Sequence, residues 1–244
     1  RGLGDVYKTQ KKDIMKFTEY CLSFVVITFL ITSLTSCEAD NMDAPDCHLT
    51  GKIVYKGQPI GVECESGSDN SVTTTMIELW QDGFGASSAQ RVNVAQNGSF
   101  STYVYAGKCR LITKKGVGPW LDGDTVSVNV KGNTNIEYEV TPYFTVSNEH
   151  YSLSADSILT VRFSVEKIVP DAIIKNAGVV INNTRFVDLT YNRTSIKNTP
   201  QPGELTYTID LRSLKENIHL YARVFVIAEG ADAAAYSVEP YMIW

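Results

Sequence analysis

Apolar and polar residues alternate with a period of two along most of the chain, in short runs closed by Gly, Asn, Asp or Pro. The run 157–168 is the clearest. Leu159, Val161, Phe163 and Val165 fall on one side, and Thr160, Arg162 and Ser164 on the other. That period suits a strand with one buried face and not a helix, whose apolar side recurs every three to four residues. The same pattern predicts first-half strands over 48–55, 74–80, 90–95, 99–105, 108–113, 125–130 and 135–140. In the second half it predicts, besides 157–168, strands over 177–181, 186–190, 206–210 and 219–228, and one helical turn within 211–216. Asn97-Gly98 is the strongest hairpin signal, because both residue types accept positive φ. Short, evenly spaced strands without a helix of useful length describe an all-β chain of sandwiches or barrels.

Thr141-Pro142 is the natural division, since Pro has no N–H to give a central ladder. The segments 47–142 and 143–244 each carry their own alternating strands and are long enough to bury a core. The expected architecture is two tandem β-sandwiches.

The stretch 15–37 breaks the alternation. Lys16 is followed by an apolar run from Cys21 to Leu34, then by Thr35, Ser36 and Cys37. The run is interrupted by Ser23, Thr28, Thr32 and Ser33, and it falls short of the roughly 20 apolar residues a membrane span needs. A charged start, an apolar middle and small residues at the end make a secretory leader. Leu34-Thr35-Ser36-Cys37 resembles the bacterial lipobox, in which the Cys is acylated and becomes the new N-terminus. That resemblance implies a signal peptide over 15–36 and lipidation of Cys37. Residues 1–14 precede a plausible initiator, Met15, and are expected to be upstream or non-native residues outside the fold. Residues 37–46 are acidic and short of large apolar side chains, as suits a flexible tether.

Residues 1–36 carry five of the 22 basic and three of the 27 acidic residues, so without them the net charge is −7. Such a charge disfavours nucleic acid and anionic lipid as partners, and leaves membrane contact to the lipid anchor. Cys47, Cys64 and Cys109 remain once Cys21 and Cys37 are set aside, an odd number. Either Cys64 and Cys109 form a bridge or the three are buried thiols. His48, His150 and His219 are scattered without ligand spacing, and neither a metal nor another cofactor is expected.

Nucleophile elbows and phosphate-binding loops are missing from the sequence, and no enzyme is expected. Two carboxylates across a cleft, for example Glu78 and Asp122, would be a glycosidase arrangement, but acidic residues on turns are normally solvated. Trp120 stands in the Gly-rich loop 116–124 beside Asp122 and Asp124. Its indole either stacks on a sugar ring, with the two carboxylates taking hydroxyl protons, or folds back to plug the sandwich. Asp122-Gly123-Asp124 offers too few oxygens for calcium and is expected to be an ordinary turn.

Several short motifs in order carry a resemblance. Gly51-Lys52-Ile53, Gly57-Gln58-Pro59-Ile60, Asn97-Gly98-Ser99-Phe100 and Gly107-Lys108-Cys109 resemble carboxypeptidase-regulatory-like domains, which are transthyretin-like sandwiches of seven strands. Cys109 stands where that family usually has Tyr, which implies an inward-facing position. Gly118-Pro119-Trp120, Asp124-Thr125-Val126, Lys131-Gly132, Val140-Thr141-Pro142-Tyr143 and the tether segment 40–45 are similar to the Bacteroides lipoproteins of the domain-of-unknown-function 3823 family. Leu214, Tyr221, Gly230, Tyr236-Ser237 and Pro240 resemble the last strands of a fibronectin type III domain, with Tyr221 as the corner tyrosine. The resemblance implies an outer-membrane lipoprotein, on the cell surface rather than the periplasmic face. It implies a place in a polysaccharide-utilisation system as an auxiliary glycan-binding or scaffolding component, with polysaccharide and importer proteins as partners. The alternatives are a structural adhesin or pilus-like subunit and a divergent enzyme.

Overall fold

The alternating runs become strands in the computed structural model, which describes residues 43–63, 76–83, 89–113, 116–215 and 219–244. The leader, Cys37 and Cys64 lie outside those residues. In chain order the first half carries β1 (Cys47–Tyr55), β2 (Gln58–Pro59), β3 (Met76–Gln81), β4 (Gln90–Asn93), β5 (Ser99–Val104), β6 (Gly107–Thr113), β7 (Val126–Val130) and β8 (Thr134–Glu139). The second half carries β9 (Phe144–Leu153), β10 (Ile158–Lys167), β11 (Ile174–Asn182), β12 (Thr194–Asn198), β13 (Gly203–Asp210), β14 (Tyr221–Ala228), β15 (Ala235–Tyr236) and β16 (Tyr241–Met242). The only helical turn among the described residues is a 3-10 turn at Arg212–Leu214.

Each half is a sandwich of two sheets. In the first, β1 is central, with β2 and β5 antiparallel to it and β8 parallel, and the opposing sheet runs β4-β3-β6-β7. In the second, β13-β10-β9 opposes β12-β11-β14-β15, with β16 also on β14. Burial follows the period. Leu159, Val161, Phe163 and Val165 of β10 are all buried, each worth about 1.5–3 kcal/mol relative to exposure. Central β11 is buried almost continuously from Ala177 to Ile181, as expected of a strand covered on both faces. Cys109 points inward and is fully buried, and Cys47 and Cys109 are free thiols.

Two expectations need correction, two strands went unpredicted, and one hairpin forms with a turn of its own kind. Residues 186–190 form a loop, because the Asp188 carboxylate accepts the N–H groups of Thr190 (2.8 Å) and Tyr191 and bends the chain where a strand would run straight. β9 and β12 were not predicted, since neither carries a clean alternation. The Asn97-Gly98 hairpin has positive φ only at Gly98 (79°), with Gly98 N–H donating to Ala95 O at 2.8 Å. It is a longer turn ending in a left-handed glycine, not a two-residue turn. The Tyr221 hydroxyl makes no backbone hydrogen bond among the described residues. The Tyr207 hydroxyl does, donating to Ala177 O at 2.8 Å.

No sheet runs through Pro142, yet the halves are sewn together. Tyr143 N–H donates to Pro119 O at 3.0 Å, and Tyr236 N–H donates to Gly61 O at 2.9 Å in an isolated antiparallel bridge. Buried side chains of both halves join in one cluster, and Pro45–Trp244 is one compact unit.

Candidate functional site

The two sandwiches meet around a buried arginine. Arg223 on β14 is fully buried, and its guanidinium donates to four backbone carbonyls. Two lie in the first half, Val62 O (3.0 Å) and Gln96 O (3.1 Å), and two in the second, Val187 O (3.3 Å) and Ser237 O (2.7 Å). The guanidinium carbon also lies 4.5 Å from the centre of the Tyr236 ring. A planar fork of five donors suits such a junction, because each carbonyl would otherwise lose water without replacement. Gly61 allows the approach: a Cβ there would come within 2.5 Å of Ser237 O and 2.8 Å of Arg223 Nη2.

Two carboxyls share this dry seam. Glu63 is 7% exposed and accepts the Tyr236 hydroxyl at 3.3 Å, and Asp188 is fully buried. Burial raises the Glu63 carboxyl to about 7, helped by the Asp188 charge and opposed by the bonds from Tyr236 and Ala234 and by the Arg223 charge. Burial likewise pushes the Tyr236 hydroxyl well above the usual phenol range.

Beside the seam opens a cleft of about 750 Å³, within the range of small-molecule sites. Gln58 and Pro59 form its first-half wall, residues 146–151 of β9 its floor, and residues 237–241 its far wall. The Tyr241 ring is 42% exposed and stacks flat on Tyr151, with centroids 4.2 Å apart and planes within 2°. That stack covers one face of the Tyr241 ring, and the exposed remainder of the residue borders the cleft. Around it stand the exposed polar groups of Gln58, Asn148 and His150, with Glu149 and Glu239. Glu239 pairs with Arg185 at 3.4 Å. An immobile ring face rimmed by amide, imidazole and carboxylate groups can hold a ligand with an apolar face and hydroxyl edges.

The residues singled out in the sequence lie elsewhere. Trp120 is 4% exposed and plugs the core, so its indole offers no stacking face. Asp122 and Asp124 are exposed in the same loop, where Asp122 Oδ1 accepts Gly116 N–H at 3.1 Å and Asp124 O accepts the Tyr138 hydroxyl at 3.2 Å. None of the three lines the cleft. No group of three or more His, Cys, Asp or Glu converges as metal ligands among the described residues. Sequence reasoning missed Tyr151 and Tyr241 because they stand on strands without a readable period. The one signal was the crowding of Glu149, His150 and Tyr151 into three consecutive positions.

Two family models match the chain. One described as "Protein of unknown function (DUF3823) N-terminal domain" covers residues 47–141, and one described as "Domain of unknown function (DUF3823_C)" covers 144–239. A crystal structure of a DUF3823 family protein from Parabacteroides merdae is 34% identical, with a TM-score of 0.74, over 83% of this chain and 100% of that one. Another from Bacteroides ovatus is 29% identical, with a TM-score of 0.71, over 80% and 97%. A Bacteroides uniformis structure described as a candidate carbohydrate binding protein is 18% identical, with a TM-score of 0.66, over 82% and 99%, and shares the fold. No curated protein matches. The chain belongs to the DUF3823 family.

Proposed function

We propose that this DUF3823 chain is a cell-envelope lipoprotein that binds glycan in the cleft between its sandwiches, as an auxiliary component of an outer-membrane polysaccharide-utilisation system. The observation that carries the reading is the Tyr241 face, held flat on Tyr151 inside an open cleft of about 750 Å³. A sugar ring has an apolar C–H face and a rim of hydroxyls, which such a ring and its polar surroundings complement. The description of the Bacteroides uniformis protein as a candidate carbohydrate binder supports the same reading, by shared fold. Native-gel retardation through immobilised polysaccharides tests it. Tyr241→Ala should weaken retention by about 1–3 kcal/mol, by analogy with the loss of one aromatic stack on a base. Its thermal midpoint should fall only modestly, because the residue is 42% exposed and lies at the molecular surface. Undiminished retention of that variant would remove the cleft from the proposal.

The envelope location rests on the lipobox-like Leu34-Thr35-Ser36-Cys37. No helix among the described residues is long and apolar enough to cross a membrane. Growth with radiolabelled palmitate should label the wild type and leave Cys37→Ala unlabelled. Equal labelling of the two proteins contradicts the anchor at Cys37.

A further inference from the structure

A second recess lies near the seam. It has a volume of about 370 Å³, with Val94 and Phe100 at its base and Asn93, Gln96, Ser99 and Ser101 around it, and Phe186 of the second half stands beside it. Phe186 is 67% exposed, the most exposed of the large hydrophobic residues described. Its backbone is not free to withdraw the ring. Phe186 O accepts Asn182 Nδ2 at 2.6 Å and Thr184 Oγ1 at 3.1 Å, and the next residue, Val187, is fully buried with its carbonyl held by Arg223. A ring kept in water by so many bonds gives up burial that a small rearrangement of a looser loop would recover.

We propose that the groove beside Phe186 is a second glycan subsite continuous with the cleft, so that the ligand is a polysaccharide held along several sugars of its chain. This rests on the glycan reading of the cleft and extends it. Their backbones meet inside the protein, where the buried Arg223 Nη2 donates to Gln96 O behind the groove and to Ser237 O behind the cleft, at 3.1 and 2.7 Å. One surface contact joins the two rims. Arg185, next to Phe186, pairs with Glu239 of the cleft, and both side chains are mostly exposed. The groove repeats the chemistry of the cleft: an aromatic face, an apolar base, and a rim of hydroxyl and amide side chains. A protein partner is less well matched, because a stable interface buries about 800 Å² on each side, whereas Phe186 is one exposed ring between exposed Arg185 and Thr184.

The test compares wild type, Tyr241→Ala and Phe186→Ala on gels containing amylopectin, xyloglucan, arabinoxylan, pectic galactan or inulin. Calorimetry then follows, using graded oligosaccharides of the retained polysaccharide from the disaccharide upward. Tyr241→Ala should weaken every length. Phe186→Ala should leave the shortest ligands unchanged and weaken the long ones about tenfold, the loss one aromatic stack carries. Phe186→Ala binding every length like wild type, while Tyr241→Ala does not, overturns the second subsite and leaves the cleft standing. Loss of a co-purifying importer protein from Phe186→Ala, with all oligosaccharide affinities intact, overturns it in favour of a protein contact. A wild type retained by none of the polysaccharides overturns the cleft reading and this extension together.

Discussion

Trp120 shows what a single residue does and does not announce. Gly118 and Pro119 before it looked like a loop held open, and the same residues let the ring fold inward. Gly118 has φ 114° and lies against the indole, where a Cβ would sit 2.5 Å from Cε2. Composition showed that this loop was special, but not which way its ring points. The indole is 4% exposed, and its N–H has no hydrogen-bond partner among the described residues. The ring therefore stays inside through packing alone, against the cost of an unsatisfied donor. Trp120→Ala should lower folding stability by about 3–5 kcal/mol, read as a shift of the denaturation midpoint. The folded fraction should bind glycan with unchanged affinity. A small stability change with lost affinity would mean that the ring turns outward in solution. Cys109, by contrast, was expected to face inward from the family resemblance, and it is fully buried on β6 in line with Leu111 and Thr113.

Among the elements, legibility followed burial. β1, β5, β10 and β14 bury one or both faces, so their side chains record the pleat, and the sequence pattern finds them within a few residues. β9 is mostly exposed beyond Phe144 and is held by its ladder to β10, from Phe144 opposite Lys167 to Leu153 opposite Leu159. Backbone bonds of that kind leave no mark on side-chain choice. β12, an edge strand on β11, was hidden for the same reason. The loop 186–190 erred in the other direction. Phe186, Val187 and Leu189 look like strand residues, but Asp188 captures the following N–H groups, and Asn192 Nδ2 donates to Asp188 O and Leu189 O at 3.0 and 2.9 Å. The cost to functional reading was specific. The cleft floor is β9, its far wall ends in the two-residue β16, and the groove is flanked by this loop. Tyr151, Tyr241 and Phe186 thus stand on segments that the period missed or misread, and only Phe100 at the base of the groove lies on a strand it found.

For the whole molecule, the division at Thr141-Pro142 was visible because Pro ends a ladder, but the seam beyond it was not. Arg223 reaches carbonyls 161 and 127 residues away, and no local pattern encodes a partner at that separation. The seam also ties stability to pH through Glu63, which faces Asp188 from the loop, Arg223 from β14 and the Tyr236 hydroxyl from β15. Its carboxyl is raised from 4.5 to about 7, chiefly by burial. Its contribution to stability is therefore fully present below about pH 4.5 and is lost as pH rises through about 7, where the folded state must hold a second buried carboxylate beside Asp188. Among the described residues, Asp210 is shifted the other way, to about 2, but it is exposed and acts only at lower pH. Between about pH 5 and pH 8 the wild type should lose up to about 3 kcal/mol through Glu63. Glu63→Gln, which keeps an acceptor for Tyr236 but cannot ionise, should lack that loss. Denaturant titrations of both proteins across this range isolate the effect, because every other titrating group is common to them. Parallel stability curves for the two would show that Glu63 is solvated in solution and that the seam is not the closed, dry contact described here.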